Sequence, residues 1–574
     1  MRVPRQLLAC ALLVLGACGP SVSGGDDDDD VPPIDAPDAP LCPRCTDDLT
    51  GVVDCDGNVT PCPDALACGN GVCLDPCQAA EQTNSSVGCD YYSVDMDAAT
   101  GPPQDACYTM FVANVSRHPV HMQVQWGATP IDLARWAKLP SGQGAGLTYQ
   151  PYDPVAGLAP GQVAVIFLAY APGLGNVACP AAIGGAAVGT EAQISGTGVG
   201  TAFHLTTDQP VVAYQMLPYG GGAAAATGAS LLLPTSAWGT NYVAVSAQDD
   251  PAPPIPVPFA MGPSHNVVAM EDNTTVTLRP TSAITAGGPL PAGTAGAPYT
   301  FTLNKGQYAQ ITQLAPLSGS PISADKPIGV FGGHQIMSID RCCGDHGEQM
   351  LAPVRALGSS YVAAPHAARK PGSDPRIYRI YGAVDGTQLT YDPPNVGPAT
   401  VNLGQMIEIR TETPFVVESQ GPDNPFAMFT YMSGAGDQGQ GGWGDPDFVR
   451  LVPPAQYLSH YVFFTDPTYP FTALTVVRKK KDGAFAPVAL DCLGPVTGWQ
   501  PVGSSGEFEL AHVKLVDHWT GQSGCNTGVR VMDSTAPFGV WVWGWGSEDT
   551  QTGWVSYGYP AGENVQLIND IIVN

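Results

Sequence analysis

Residue types that bind zinc lie close together around one pair of adjacent cysteines in this 574-residue chain. His334 precedes Cys342 and Cys343, and His346 and Glu348 follow them. Imidazole, thiolate and carboxylate groups are the usual ligands of zinc, so this spacing permits a metal site. Adjacent cysteines in an exported chain more often form a vicinal bridge or two separate disulfides. The disulfide interpretation is therefore favoured over zinc.

A second group, Asp95 and Asp97 in SVDMDAATG, has the residue types and spacing of a calcium site. Alternate residues on a strand face the same way, so the two carboxylates can bind Ca2+ together with backbone oxygens. The alternative is a pair of solvated carboxylates on an exposed strand face. Calcium at this pair is the one cofactor that the sequence suggests, and the favoured interpretation is that the protein has none.

Two further patterns have catalytic or metal-binding spacing but lack the element that such sites need. Ser323 and Lys326 match the Ser-x-x-Lys spacing of penicillin-recognising enzymes, where a helix places the lysine over the serine. Here the motif precedes a strand, and related segments of the chain replace the lysine. His118 and His121 lie three residues apart, which puts them on opposite faces of a strand. Neither pair predicts catalysis or metal binding.

Three tryptophans, Trp541, Trp543 and Trp545, alternate in VWVWGWG and therefore share one face of a strand. Such a stripe either packs in a core or forms an exposed aromatic platform for sugar rings. Val540 and Val542 between them are also apolar, so both faces are predicted to be covered. The sequence favours the core.

The N-terminus has the features of an exported lipoprotein. Arg2 and Arg5 precede an apolar run that is too short to span a bilayer and is typical of a signal peptide, which we assign to residues 1–17. The sequence LGAC, ending at Cys18, resembles the bacterial lipobox, and this implies that Cys18 carries the lipid and becomes the mature N-terminus. Gly19, where aspartate would signal retention, favours the outer membrane or the cell surface over the inner membrane.

Residues 18–41 are predicted to be a disordered linker, because five consecutive aspartates repel one another and the prolines of VPPIDAPDAP favour extended backbone. The whole chain has 51 acidic and 23 basic residues, which gives a formal net charge of -28. Such a charge argues against nucleic acid as a partner. Contact with a membrane is predicted through the lipid anchor only.

The cysteines indicate an oxidising compartment. The chain has 16 of them, and an even number remains once Cys10 is removed with the signal peptide and Cys18 is lipidated. Residues 42–87 are rich in cysteine and have too few apolar residues for a core, so disulfides must hold this segment. Zinc at its CxxC is the less favoured alternative. The predicted disulfide cysteines, whose pairing stays open, are Cys42, Cys45, Cys55, Cys62, Cys68, Cys73, Cys77, Cys89, Cys107, Cys179, Cys342, Cys343, Cys492 and Cys525.

Residues 88–574 are predicted to form an all-β domain. Short runs rich in Val, Tyr, Phe, Thr and Ile alternate with Gly, Pro, Asn and Asp, and no stretch has a sustained helical period. The segments HNVVAMEDNTTVTLRP and YTFTLNKGQYAQIT each predict a strand, a tight turn and a second strand, with the turns at residues 272–273 and 304–306.

This domain repeats itself in the sequence. Four segments align on a proline that is predicted to open an apolar strand, where no ladder donor is lost. These prolines are Pro210, Pro327, Pro414 and Pro537. A second element recurs three times at one spacing, from Pro234 to Tyr242, from Pro353 to Tyr361 and from Pro453 to Tyr461. A first, divergent copy is predicted from CDYYSVDMD to Met216. Units of about a hundred residues fit tandem β-sandwiches or a propeller-like body, and the lack of flexible linkers slightly favours the latter.

The repeated elements resemble a known family. SSVGCDYYSVDMD, ADKPIGVFGGH, LPTSAWGTNYVAVS and the cysteines of DRCCGDHGEQMLAP are similar to the IgGFc-binding protein N-terminal domain family over roughly residues 88–560. The resemblance implies an exported protein of the kind found in myxobacteria, with a binding role. It supplies no catalytic residues and does not require Fc to be the ligand.

We therefore expect a cell-surface binding or adhesion lipoprotein without catalytic activity, which recognises an extracellular protein or glycan. One alternative is an extracellular hydrolase that acts on polysaccharide, for which a cleft with two convergent carboxylates would be needed. The other alternative is a structural protein of the cell envelope. Apart from Asp95 and Asp97, the sequence offers no closely spaced acidic pair on a strand, so the hydrolase is less favoured.

Overall fold

The structure, a computed structural model, describes residues 42–46, 49–99, 101, 103–173, 176–221, 225–249, 261–340, 343–372, 374–439 and 441–574. The predicted signal peptide, the lipidation site at Cys18 and the linker up to residue 41 therefore lie outside the described residues. Residues 42–574 belong to one compact unit. No helix among the described residues is long and apolar enough to cross a membrane.

Short strands and one helix make up the cysteine-rich N-terminal segment. They are β1 (Arg44–Cys45), β2 (Gly51–Val53), β3 (Val59–Pro61), β4 (Ala67–Gly69), β5 (Val72–Leu74) and α1 (Pro76–Thr83). The first three strands form one sheet, and β4 pairs with β5. Asp75 begins α1, because its carboxylate accepts from the N–H groups of Cys77 and Gln78. The helix packs on β4 and on the larger body that follows.

Four strand-rich units follow this segment. The elements of the first unit, in chain order, are β6 (Gly88–Ser93), β7 (Tyr108–Asn114), β8 (Met122–Trp126), β9 (Thr129–Pro130), α2 (Leu133–Trp136), β10 (Ala137–Ser141), β11 (Thr148–Pro151), β12 (Val163–Ala169), β13 (Gly198–Thr201), β14 (Phe203–Leu217) and β15 (Gly228–Leu231). All of these strands except β13 form one antiparallel sheet. The strands β7 and β12 are buried along their whole length, so they read as continuous apolar runs.

The second unit forms an eight-stranded sheet that also includes β13. Its other strands are β16 (Gly239–Val243), β17 (Pro263–Ala269), β18 (Thr274–Leu278), β19 (Tyr299–Leu303), β20 (Gln307–Thr312), β21 (Pro321–Met337) and β22 (Asp345–Met350). The third unit is divided among three smaller sheets. Its strands are β23 (Ser360–Val362), β24 (Ile377–Gly382), β25 (Thr387–Gln388), β26 (Thr390–Asp392), β27 (Thr400–Val401), β28 (Met406–Arg410), β29 (Val416–Glu418), β30 (Phe426–Met432) and β31 (Asp447–Arg450).

The fourth unit is a nine-stranded sheet. Its strands are β32 (Leu458–Thr465), β33 (Phe471–Lys479), β34 (Val488–Leu490), β35 (Gly494–Pro495), β36 (Gln500–Val502), β37 (Phe508–Asp517), β38 (Thr520–Gly521), β39 (Gly528–Trp545) and β40 (Ser556–Pro560). The predicted all-β class is therefore confirmed. Short 3-10 turns follow the repeated prolines of the second repeated element, at Thr235–Ala237, Val354–Ala356 and Pro454–Gln456.

Three of the four repeated prolines lie inside long strands, and the prediction that each is the first residue of a strand is wrong. Pro210, Pro327 and Pro537 lie within β14, β21 and β39. Each long strand changes its partners there: β21 pairs with β18 up to Ala324 and with β17 from Ile328 onward. The proline stands at the junction between two ladders, where its missing N–H is not needed.

Both predicted strand-turn-strand segments contain the expected strands, but the two strands of each segment do not pair with each other. β17 pairs with β20 and β21, whereas β18 pairs with β19 and β21. The reason is the length of β21, whose two halves on either side of Pro327 each take one of these strands. The local pattern predicted the elements, and the long strand decided the pairing.

In three of the four units, the repeated tyrosine joins a short strand to the long strand of the same unit. The Tyr242 hydroxyl accepts from Gly239 N at 3.0 Å and donates to Ile328 O at 2.7 Å. The acceptor directly follows the repeated proline of the same unit. Equivalent bonds join the Tyr91 hydroxyl to Val211 O and the Tyr461 hydroxyl to Phe538 O. These rings are buried, so the repeated position is a packing position.

The last strands of the four units lie beside one another. β15 contacts β22 and β40, and β31 contacts the same two strands. The C-terminal residues return to the first unit, where Ser86 N donates to Glu563 O at 2.8 Å. Residues of neighbouring units share buried apolar cores, as in the contact of Phe111 with Phe464 at a centroid distance of 4.8 Å. A propeller-like arrangement stays a prediction.

Candidate functional site

Carboxylates and imidazoles meet in the interior where the last strands of the units lie side by side. We define the interior cluster as Asp345, His346 and Glu348 of β22, with Asp445 and Asp447 at the start of β31. Each of these residues is 1% exposed or less. Ionisable side chains are seldom so fully buried, because the charged form loses its hydration.

Two backbone amides and a serine surround the carboxylate of Asp345. Thr227 N donates to Oδ1 at 3.0 Å, and Ser556 N donates to Oδ2 at 3.1 Å. The Ser556 hydroxyl also donates to the carbonyl of Asp445 at 2.7 Å. Burial raises the pKa of Asp345 well above its usual range, and the charges of Asp445 and Asp447 raise it further. Burial raises the pKa of Asp445 to about 7, so the interior favours the protonated form of both carboxyls.

Glu348 is joined to the first unit by buried hydrogen bonds. Gln215 Nε2 donates to Glu348 Oε2 at 2.6 Å, and the Tyr108 hydroxyl donates to Gln215 Oε1 at 3.1 Å. Burial raises the pKa of Glu348 well above its usual range, and the charge of Asp95 adds to this effect. The interior therefore favours the uncharged carboxyl.

The histidines that the sequence offered as zinc ligands are buried and neutral. Burial lowers the pKa of His334 to about 3 and that of His346 to about 4. His334 Nδ1 accepts from Ile336 N at 3.2 Å. Cys343 is in a disulfide, whereas Cys342 lies outside the described residues. Over the ranges that the structure describes, no three His, Cys, Asp or Glu side chains are arranged to hold a metal ion.

Asp95 and Asp97 follow β6 directly and are 2% and 1% exposed, so the alternative of a solvated pair is wrong. Gln193 Nε2 donates to Asp95 Oδ1 at 3.0 Å, and Gly196 N donates to Asp97 Oδ2 at 2.8 Å. Burial raises the pKa of Asp95 to about 8 and that of Asp97 to about 6. Amide donors thus satisfy one oxygen of each carboxylate, and calcium at this pair stays a prediction.

The predicted disulfide framework is present in the described residues. Four bridges hold the N-terminal segment: Cys42–Cys55, Cys45–Cys68, Cys62–Cys73 and Cys77–Cys89. Two more, Cys107–Cys179 and Cys492–Cys525, lie in the β-rich units. The N-terminal segment is therefore rigid without a large apolar core.

The alternating tryptophans lie in the core, as the sequence favours. Trp541, Trp543 and Trp545 are 2% exposed or less. Val540 and Val542 between them belong to a different buried cluster, so both faces of β39 are covered. These rings are not accessible to a ligand.

The remaining sequence patterns do not form a site. Ser323 and Lys326 lie on β21 and not on a helix, and the Lys326 ammonium lies 3.8 Å from the Glu271 carboxylate. His118 and His121 contact different partners, as their odd spacing predicts. These residues act in local ion pairs and hydrogen bonds.

Partly exposed aromatic side chains of the third and fourth units form a separate group on the surface. We define the aromatic patch as Trp443, His518, Trp519, Asp549 and Trp554. Trp554 is 43% exposed, the His518 side chain is 51% exposed, and the other two tryptophans are half-buried. The His518 ring centroid lies 6.0 Å from that of Trp443, with the rings edge to face.

Three residues of the aromatic patch have left-handed backbone conformations. His518 and Trp519 form the two-residue turn between β37 and β38, with φ angles of 47° and 62°. Such a hairpin turn normally contains Asn-Gly, because a β-carbon is strained at positive φ. Trp554 also has a positive φ, of 60°. Strain of this kind is concentrated at functional sites, where surrounding contacts maintain it.

Two carboxylates hold the His518 ring in place. Its Nδ1 lies 2.5 Å from Asp517 Oδ1, and its Nε2 lies 3.1 Å from Asp549 Oδ2. Partial desolvation lowers the pKa of His518, but the hydrogen bonds to these carboxylates raise it above the usual value overall. The ring is thus oriented by ion pairing and faces solvent.

A glycine-rich segment, 441–444, brings Trp443 to the patch. Trp554 N donates to Gly442 O at 3.1 Å, which joins this segment to the loop that carries Trp554. A β-carbon at Gly442 would lie 3.1 Å from the Trp554 indole, so glycine permits the close approach. The patch is therefore assembled from three loops.

The aromatic patch was not predicted from the sequence. Its one local signal is VKLVDHWTGQ, where an alternating strand runs into a two-residue connection that lacks the usual Asn-Gly. Trp443 and Trp554 come from loops before β31 and β40, and nothing in their local sequence joins them to that turn.

Two comparisons with known proteins agree with each other. A family model described as IgGFc binding protein matches residues 228–544, which include the His518–Trp519 turn. The human IgGFc-binding protein is 27% identical to this chain over 292 residues. The aligned residues are 50% of this chain and 5% of the human protein, so the chain spans a small part of that relative.

Proposed function

The chain belongs to the IgGFc binding protein family, and from this premise we propose that it is a non-catalytic binding or adhesion lipoprotein of the cell surface. Its proposed ligand is an extracellular protein or glycan. The human relative is named for binding to IgG Fc, and the role proposed for this chain is binding without Fc as an assigned ligand.

The proposed binding surface is the aromatic patch. The single observation that supports this choice is the exposure of Trp554 and His518 at strained backbone positions, next to the half-buried Trp519. Exposed aromatic side chains on a rigid scaffold are common anchors for ligands.

Burial of the carboxylates supports binding over hydrolysis. A polysaccharide hydrolase needs two carboxylates that reach the substrate across a cleft. The closely placed acids Asp345, Asp445, Glu348 and Asp95 are each 2% exposed or less, so a polysaccharide does not reach them in this arrangement.

The proposal includes a lipid anchor and a division of the chain. A signal peptide over residues 1–17 would be removed, and Cys18 would carry the acyl chains that hold the protein at the outer membrane or cell surface. Several acyl chains bind a membrane far more firmly than one. A linker over residues 18–41 would then carry the cysteine-rich segment, 42–87, and the β-domain, 88–574.

The anchor is tested by Cys18→Ser, with Cys10→Ser as the matched control within the signal peptide. We expect Cys18→Ser to incorporate no labelled palmitate and to accumulate as an unprocessed precursor, because lipidation precedes cleavage. Cys10→Ser should behave as the wild type. A Cys18→Ser protein of mature mass that still partitions into detergent would contradict the proposal.

Binding is tested with intact cells that display the full chain, probed with human IgG Fc and with an array of extracellular proteins and oligosaccharides. We expect at least one probe to be captured, and we expect Trp554→Ala to lower this capture at least tenfold. Trp126→Ala is the control, since its half-buried indole donates to Thr201 O on another part of the surface. Equal capture by wild type and Trp554→Ala would show that the patch is not the binding surface.

A further inference from the structure

We infer that residues 564–574, which we call the strap, lie in a peptide-binding groove of this protein, and that the strap of a second copy of the chain can take their place. The groove is formed by Asn241 and by the entry turns, which are the 3-10 turns Thr235–Ala237, Val354–Ala356 and Pro454–Gln456. None of these residues belongs to the aromatic patch, so the groove is independent of the proposed binding surface.

The entry turns of consecutive units are joined to one another. Arg355 Nη2 donates to Trp238 O at 3.1 Å, which joins the second turn to the residue directly after the first. Gln456 Nε2 donates to Ala356 O at 3.3 Å, which joins the third turn to the second. The three turns therefore form one row that crosses three units of the β-domain.

Two side-chain amides of the groove hold the strap by its backbone. Gln456 Oε1 accepts from Gln566 N at 3.1 Å, and Gln456 Nε2 donates to Gln566 O at 2.8 Å. Asn241, on β16 after the first turn, accepts from Val573 N at 2.8 Å and donates to Val573 O at 2.8 Å. Each amide thus binds both polar groups of one residue, as a neighbouring strand would. The two amides recognise an extended backbone.

The middle of the strap is held at the second entry turn. Ile568 N donates to Arg355 O at 2.9 Å. The side-chain amide of Asn569 donates to Val354 O at 2.8 Å and to Leu357 O at 2.9 Å. These two carbonyls lie at the start and the end of the turn, so the Asn569 side chain satisfies both with one NH2 group. This contact depends on the side chain, and it distinguishes the strap from other extended segments.

Buried side chains specify the occupant further. Val565, Asn569 and Val573 lie four residues apart and are each at most 5% exposed, whereas Leu567 and Ile572 are 63% and 70% exposed. An occupant of the groove therefore needs an asparagine with an apolar residue four positions away on each side. A second copy of the chain carries this segment by identity, so exchange of straps between two copies preserves every contact.

The strap lies outside the sheets. The last strand, β40, ends at Pro560, and the β-bridge of the strap in the described residues joins Asn564 to Ser85. Three of the eleven strap residues are buried. A segment with so few buried side chains opens at a lower free energy than the strands of a core. The strap can therefore leave its groove while the sheets stay folded.

The test uses two substitutions in the detergent-solubilised full chain, one on each side of the same contact. Asn569→Ala alters the strap and leaves the groove intact, whereas Asn241→Ala alters the groove and leaves the strap intact. Each should speed hydrogen exchange of the strap amides at least tenfold. Leu567→Ala is the control, because this exposed side chain should leave the exchange within twofold of wild type.

Exchange between copies is tested by mixing two chains that carry different affinity tags. The mixture of Asn569→Ala with Asn241→Ala contains an intact groove on one chain and an intact strap on the other. We expect its co-capture to exceed at least tenfold that of either variant mixed with a differently tagged copy of itself. Gln456→Ala is a second groove variant and should behave as Asn241→Ala does. The melting temperature of each variant shows that the body is folded.

A fluorescein-labelled peptide of residues 564–574 gives a second readout. It should bind the Asn569→Ala chain at least tenfold more tightly than the Asn241→Ala chain, because only the former has an intact groove. Equal binding to the two chains, or binding to neither, would overturn the peptide groove. Equal co-capture from the mixed pair and the self pairs would overturn the exchange. Hydrogen exchange that neither substitution changes would show that other contacts hold the strap, and would overturn the inference as well.

Discussion

Asp345 in the interior cluster and His518 in the aromatic patch show two ways in which this protein surrounds an ionisable side chain. Asp345 is fully buried, and amides and a hydroxyl satisfy it without a cationic partner in the described residues. His518 lies at the surface between two carboxylates. Burial in the interior favours the uncharged form of Asp345, whereas the two carboxylates of the patch hold the His518 ring at the surface.

This difference explains why a cluster of acid and imidazole groups is not by itself a functional site. In the interior cluster, burial shifts the pKa values toward the neutral forms, and packing strands close access from solvent. In the aromatic patch, exposed side chains and left-handed backbone conformations occur together on loops. We expect changes in the interior to alter the free energy of unfolding and changes in the patch to alter binding.

The largest effect is expected at a buried ion pair near the interior cluster. Arg450 Nη1 donates to Glu563 Oε2 at 2.6 Å, and both side chains are at most 5% exposed. Arg450→Met would leave the Glu563 charge buried and unpaired, and should lower the free energy of unfolding by about 3–5 kcal/mol. Urea denaturation measures this loss.

Two control variants are needed, one for the buried ion pair itself and one for an ion pair on the surface. Arg450→Met combined with Glu563→Leu should recover most of the loss, because no buried charge is left unpaired. Lys514→Met removes an exposed ion pair beside the patch and should change stability by less than about 1 kcal/mol. An Arg450→Met protein as stable as the wild type would contradict the prediction that the Glu563 carboxylate is closed off from solvent.

The repeated tyrosine is expected to have the next largest effect. The Tyr361 ring is 1% exposed and packs on Phe426 at a centroid distance of 4.8 Å, while its hydroxyl accepts from Gly358 N. Tyr361→Ala should cost about 3–4 kcal/mol, and Tyr361→Phe about 1 kcal/mol. Thermal unfolding measures both. Unchanged melting with loss of ligand capture would instead make Tyr361 a binding residue.

A smaller effect is expected from pH. Burial raises the pKa of Asp445 to about 7, from about 4 in an unfolded chain. The folded protein thus binds this proton more tightly, so the contribution to stability is complete below pH 4 and is lost as pH rises through about 7. We expect Asp445→Asn to reduce the loss of stability between pH 6.5 and 9 by about 0.8 kcal/mol.

The pH experiment has a control on the surface. Asp549→Asn in the aromatic patch should leave the slope above pH 6.5 unchanged, because the pKa of Asp549 is lowered. The buried histidines have lowered pKa values, and their contribution is lost only as pH falls below about 6.5. Equal slopes for wild type and Asp445→Asn would show that Asp445 does not hold its proton near neutral pH.

The smallest effect on stability is expected in the aromatic patch. Trp554→Gly relieves the strain of a β-carbon at a φ of 60° but also removes the indole that contacts Gly442, so the two effects oppose each other and the free energy of unfolding should change by at most about 1 kcal/mol, while binding is lost. Differential scanning calorimetry and the binding assay together measure the two effects. A large loss of stability would place Trp554 with the packing residues.

The sequence determined the secondary structure class, and the repeat stays a prediction. Alternation of apolar residues depends on which face of a strand is buried, so it is visible locally, and the identical spacing of Tyr242, Tyr361 and Tyr461 marked one packing position in three units. The cysteine-rich segment was equally readable, because a segment without enough apolar residues must be held by covalent bonds.

The candidate site was only partly predictable. The sequence singled out His334, His346, Glu348, Asp95 and Asp97 by their residue types, but it did not reveal that all of them are buried. Burial of a polar residue depends on which sheets pack over it, and those sheets are far away in the chain. The expected solvated pair at Asp95 and Asp97 was wrong for this reason.

The aromatic patch was decided by tertiary structure alone. Its rings come from a hairpin turn and from loops before two different last strands, which meet because β31 and β40 lie side by side. A local pattern carries no information about such a meeting, since each loop has only one or two aromatic residues. Residue types and spacing thus determined the all-β class and the need for disulfides in the N-terminal segment, whereas the packing of the units determined which side chains are sealed from solvent and which remain exposed to it.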